Sequence, residues 1–111
     1  IRFQLSEESD GTKRLLDLIP ALAKLKKGQG TVFVIDELDR SLHTQLPEWL
    51  LKYFLDVCHA DSRDQLIFTT HDVNILTQDI FRRDELWGID KNPDGASILY
   101  SFRDFKKNQK R

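Results

Sequence analysis

Apolar and polar positions divide the chain into a series of short elements. Ile1-Arg2-Phe3-Gln4-Leu5 alternates apolar with polar, which predicts a short strand, and Ser6 to Thr12 is a polar, acidic loop. From Lys13, the residues Leu15, Leu18/Ile19, Leu22 and Leu25 recur at helical spacing, and Lys26-Lys27-Gly28 supplies a basic last turn and a stop. Pro20 lies inside that pattern and predicts a kink or two short helices joined there. Val32 to Ile35, preceded by Thr31, is a continuous apolar, β-prone run, as expected of a strand buried on both faces in a parallel sheet. Leu46 to Cys58 predicts a second helix with Leu46, Leu50, Tyr53/Phe54 and Val57 on one side and Pro47 in its first turn. Gln65 to Thr70 reads as a second buried strand, followed by a short helical segment from Val73 to about Leu76.

The last third differs in pattern. Glu85–Asp90 and Ala96–Phe102 are β-type runs separated by Lys91-Asn92-Pro93-Asp94-Gly95, which predicts an antiparallel hairpin with a left-handed residue at Gly95. Trp87 and Ile89 are expected to pack with Ile98 and Tyr100. Residues 103–111 form a basic tail, read as a frayed end. With no internal repeat and no low-complexity linker, residues 1–111 read as one domain. The fold class is therefore α/β: a parallel sheet flanked by helices, with strands 31–36 and 65–70 adjacent, and a C-terminal hairpin.

Composition narrows the function classes. The 111 residues are 40% hydrophobic and 32% charged, enough for a modest core. A formal net charge of −1 argues against a protein that binds nucleic acid through its overall charge. The single cysteine, Cys58, excludes an internal disulfide and fits a reducing, cytoplasmic setting. No apolar run approaches the roughly 20 residues of a membrane helix. The chain contains no methionine, and its opening strand reads as one entered in mid-fold, which predicts a piece of a longer protein.

The chemistry concentrates at three places. Asp36-Glu37 closes the first buried strand, so both carboxylates fall at the carboxyl edge of the sheet, where open α/β folds bind ligands. Paired carboxylates there can divide phosphate chemistry, one on Mg2+ and one on the attacking water. His71 closes the next buried strand after Thr69-Thr70. Ser9-Asp10-Gly11-Thr12-Lys13-Arg14 opens the first helix. Its free N–H groups and dipole attract an anion, and Gly11 admits close approach to a ligand; equally, Ser9, Asp10 or Thr12 can serve as a plain N-cap. His59 and Cys58 lack metal-ligand spacing.

In their order and spacing, these three segments resemble the second half of an ABC-type ATPase of the SMC/RecF-like branch. The resemblance implies that Asp36 holds Mg2+ through water and that Glu37 orients the attacking water, with His71 contacting the γ-phosphate of ATP. It also implies that Ser9, Gly11 and Thr12, in the signature stretch Glu8 to Arg14, bind the nucleotide of an opposite subunit. Asp10 departs from the glycine of transporter-type signatures, and a carboxylate aimed at the γ-phosphate there would repel it. Leu38-Asp39-Arg40-Ser41-Leu42-His43 takes the D-loop place, with Ser41, Leu42 and His43 at a dimer interface. Its Leu-His ending is similar to that of defence-associated, OLD-like ATPases, as are Arg82 to Trp87, Asp94 to Ser97 and Asp104 to Lys106. The implied protein is an ATPase of the abortive-infection or Septu-like group that dimerises on ATP. It would act in antiphage defence or DNA repair with an associated nuclease, reaching nucleic acid through that complex.

No Gly-x-x-x-x-Gly-Lys-Ser/Thr occurs in the 111 residues, so the phosphate cradle is missing and the stretch by itself is expected to hydrolyse ATP poorly or not at all. Asp36-Glu37-Leu38-Asp39 also satisfies the Asp-Glu-x-Asp pattern of superfamily-two helicases, although that family does not require the Ser9–Arg14 helix start. A non-catalytic dimerisation module is the remaining alternative.

Overall fold

The computed structural model describes residues 9–25, 27–58, 60–77 and 80–104. The expected strand over 1–5, Glu8, Lys26, His59 and the tail from Phe105 onward lie outside them. The architecture is mixed α/β: a parallel two-stranded sheet flanked by helices, followed by an antiparallel hairpin. The chain divides into two compact units, Ile1–Ile75 and Leu76–Arg111. Among the described residues, no helix is long and apolar enough to cross a membrane.

In the first unit, helix α1 spans Asp10–Leu25 without a break at Pro20, so the expected division into two helices is not found. Pro20 is exposed, whereas Leu18 is buried and Ala21 and Leu22 line the core, so packing on that face holds the helix through the lost hydrogen bond. The helix also begins three residues before Lys13, because Ser9 caps it. The Thr12 N–H donates to Ser9 Oγ at 3.2 Å and the Lys13 N–H to the Ser9 carbonyl at 3.0 Å.

Strands β1 (Val32–Ile35) and β2 (Gln65–Phe68) pair in parallel, Val32 with Gln65 through Ile35 with Phe68, and helix α2 (Gln45–Val57) connects them. Phe33, Ile35 and Leu66 join Leu18, Leu50, Leu51 and Leu38 around the core, which leaves a void of only about 20 Å³. Val32, Val34 and Ile67 point the other way and are exposed, so burial on both faces is met on one face only. Their apolar character is that of a sheet face with no covering layer among the described residues. At the amino edge of the sheet, Asp64 accepts hydrogen bonds from the Thr31 N–H at 2.7 Å and the Ser62 hydroxyl at 2.8 Å. These contacts, the Thr31 bond foremost, hold its carboxyl below the usual carboxylate range. Burial, followed by the Asp64 charge, pushes the Cys58 thiol up. Helix α3 (Val73–Thr77) follows, anchored by the fully buried Ile75.

In the second unit, β3 (Trp87–Lys91) and β4 (Ser97–Ser101) form the hairpin. Gly95 is left-handed at φ 83°, as the turn residues predict. The Gly95 N–H donates to the Asn92 carbonyl and the Asn92 N–H to the Ala96 carbonyl, both at 2.9 Å, closing a three-residue loop. That loop pairs Lys91 with Ser97 and therefore Ile89 with Leu99 and Gly88 with Tyr100. The expected packing of Trp87 and Ile89 with Ile98 and Tyr100 is thus displaced by one residue, which moves those partners to the other face. The Tyr100 ring instead lies across Gly88, where any Cβ would collide with it.

Candidate functional site

The site is built where β1 and β2 end. Because Ile35 pairs with Phe68, the next residues, Asp36 and Thr69, are neighbours. The Thr69 hydroxyl donates to Asp36 Oδ1 at 2.5 Å and accepts the Glu37 N–H at 2.8 Å. Thr69 continues the ladder through its backbone as well: its N–H donates to the Ile35 carbonyl, and its carbonyl accepts the Leu38 N–H. One side chain thereby fixes both the Asp36 carboxylate and the direction of the chain at Glu37.

At Glu37 the backbone turns sharply, with φ 49°, a region that residues bearing a Cβ seldom occupy. Leu38, only 2% exposed, then inserts into the core and anchors the loop. The result is that Glu37 faces His71, with Glu37 Oε1 and His71 Nε2 3.8 Å apart. Both groups are open to solvent, and the separation exceeds hydrogen-bond range, so the pair contributes little to stability. It leaves two polar side chains converging on an accessible point beside Asp36. The following residue is also braced: the Thr70 hydroxyl donates to Asp39 Oδ1 at 2.7 Å and accepts the Asp72 N–H at 3.0 Å.

The start of α1 lies against this loop in the same chain. Arg14 Nη2 donates to the carbonyls of Asp36 at 2.8 Å and Glu37 at 3.0 Å. A Cβ on Gly11 would stand 2.9 Å from the Ser41 carbonyl, so the close approach that glycine permits here is made by Ser41. Ser41 itself is left-handed, with φ 61°. Ser9 and Thr12 are joined through their hydroxyls at 2.9 Å. Asp10, Ser41 and His43 are exposed and Leu42 is half-buried, so this stretch presents polar surface near the helix start. A groove of about 410 Å³ runs alongside, lined in part by Arg14, Asp17, Val34, Asp36, Glu37 and Arg40.

Asp36, Glu37 and His71 are thus brought to one sheet edge, and Gly11 to the flank of the same loop. Two contributors escape a motif-based reading: Thr69, legible only once the strand register is known, and Arg14, whose contacts span 22 and 23 positions. Among the described residues, no group of three or more His, Cys, Asp or Glu could hold a metal by itself. Asp36 offers one exposed carboxylate with one oxygen braced by Thr69. That donor set fits an ion completed mainly by water and phosphate oxygens, as Mg2+ is. It does not fit a site made wholly of protein ligands.

A family profile described as "AAA domain, putative AbiEii toxin, Type IV TA system" matches residues 2–77. No curated protein and no solved structure matches the chain. The matched residues carry α1, both parallel strands and the edge where Asp36, Glu37 and His71 meet. With well over half of its length matched, the chain belongs to this AAA-domain family, whose character is that of a nucleotide-binding, P-loop-ATPase-like domain.

Proposed function

We propose that the intact protein hydrolyses ATP with Mg2+ and that two copies close on each other through their nucleotide sites. The observation that carries this reading is the convergence of Glu37 and His71, 3.8 Å apart, next to the braced carboxylate of Asp36. Asp36 would hold Mg2+ through water; when bound, the ion neutralises charge on the phosphates. Glu37 accepts a hydrogen bond from the attacking water and orients it. His71, on the neighbouring strand end, donates to the γ-phosphate.

The first turn of α1, with Ser9, Gly11 and Thr12, meets the γ-phosphate held by the other copy, and Ser41, Leu42 and His43 lie at the join. Support for this comes from their position: the helix start and the 41–43 stretch lie side by side, with Asp10, Ser41 and His43 exposed. The phosphate cradle is contributed by sequence other than these 111 residues. In this reading the protein is a cytoplasmic SMC- or OLD-like ATPase of the abortive-infection or Septu-like kind. It works in antiphage defence or DNA repair with a nuclease partner and reaches nucleic acid through that complex. Light scattering of the intact protein with and without ATP tests the association: an ATP-dependent dimer is expected, and a monomer under both conditions would reject it.

A further inference from the structure

We infer that Arg14 is a positioning residue for hydrolysis, holding the backbone at Asp36 and Glu37 so that the Glu37 carboxylate is aimed toward His71. The inference rests on the reading of Glu37 as the water-orienting group. It starts from the geometry of one nitrogen: Arg14 Nη2 reaches the carbonyls of both Asp36 and Glu37, at 2.8 and 3.0 Å. Hydrogen bonds from a guanidinium are charge-assisted and stronger than neutral ones. They converge on the residue whose backbone needs holding, since Glu37 sits at φ 49°. An ordinary helix-surface arginine would keep its whole guanidinium in water. Here Arg14 Nε is buried with no hydrogen-bond partner among the described residues, so the side chain gives up a hydrogen bond to stand in this place.

Contacts from the strand side and from within the loop complete the frame around Glu37. The Glu37 N–H donates to the Thr69 hydroxyl just beyond β2, while its carbonyl accepts Arg14 Nη2 from α1 and the Arg40 N–H from within the loop. Each peptide group flanking the Glu37 Cα is therefore bonded to Arg14 on one side and to Thr69 on the other, which leaves the side chain as the part able to act. Gly11 touches Ser41 one turn earlier on the same helix. Any ligand that shifts the start of α1 would therefore be felt at Glu37 through Arg14, without the ligand touching the carboxylate.

The test uses the intact protein, with Arg14→Ala and Arg14→Lys each made alone and together with Glu37→Gln. Arg14→Ala is expected to lower kcat by about tenfold or more while ATP affinity stays within about threefold, since it removes an alignment rather than a binding contact. Arg14→Lys, which keeps a donor but loses the planar fork, is expected to lie between it and the wild type. In the Glu37→Gln background, neither Arg14 substitution should lower the residual rate further, because the group being aimed is already gone. Where Arg14→Ala fails to fold, the lysine variant decides by the same comparison: a loss with Glu37 present and none with it replaced. Unchanged kcat in the Arg14 variants, or losses that multiply fully with Glu37→Gln, would overturn the inference while leaving the ATPase reading standing. A parallel fall of kcat, ATP affinity and melting temperature, with no recovery by lysine, would reduce Arg14 to a structural support and overturn it too. Normal turnover in Glu37→Gln alone would overturn both readings.

Discussion

The hydroxyl of Thr69 donates to Asp36 Oδ1 at 2.5 Å and so ties the end of one parallel strand to the carboxylate that ends the other. The same oxygen accepts the N–H of Glu37, so a single atom helps fix both acidic residues. Thr69→Val keeps the shape of the side chain and removes the hydroxyl. Loss of an outer partner of this kind typically costs about 10–100-fold in metal affinity or activity. The intact variant should therefore need more Mg2+ for half-maximal ATP turnover, while Thr69→Ser stays near the wild type. A valine variant with an unchanged Mg2+ dependence would show that Asp36 is positioned by other means.

Gly11 gives a prediction of sign. Helix propensity alone would make Gly11→Ala stabilising by up to about 1 kcal/mol. The Cβ would, however, stand 2.9 Å from the Ser41 carbonyl, which is backbone and cannot rotate away. The melting temperature should fall, and a rise would show that the loop yields freely. For the same reason, a bulky residue at Gly11 would disturb the loop as well as any ligand of the opposite copy.

Asp64 gives a pH dependence. Its folded-state pKa is lowered, chiefly by the Thr31 N–H and next by the Ser62 hydroxyl. Its contribution to stability is thus complete above the unfolded value of about 4 and is lost as the pH falls through the lower folded value. Asp64→Asn should melt at a lower temperature than the wild type at neutral pH, with the gap narrowing on acidification below pH of about 4. A gap that stays constant across that range would contradict this role.

The sequence and the structure agree where local pattern decides. The run Val32 to Ile35 and the segment from Gln65 became parallel neighbours because continuous apolar character is itself the signal. Pro93-Asp94-Gly95 located the hairpin for a similar reason, since Gly95 is needed at positive φ. The register was not legible: it depends on whether the loop holds three residues or four, and one residue moves every side chain to the opposite face. Pro20 did not divide α1 into two helices, because its local cost was outweighed by packing of Leu18 and its neighbours, a tertiary effect. At the site, Asp36, Glu37 and His71 stand out by order along the chain. Arg14 and Thr69 do not, because their partners lie 22 to 33 positions away and no short motif encodes such contacts.

The most direct measurement is ATP turnover by the intact protein carrying Glu37→Gln, with nucleotide binding measured in parallel. The substitution keeps the side chain's shape and removes the charge that orients water. Retained ATP binding, a loss of turnover on the order of 10²–10⁴-fold, and accumulation of a nucleotide-bound dimer are expected. Wild-type turnover in that variant would contradict this role, leaving Glu37 a loop carboxylate with no part in hydrolysis.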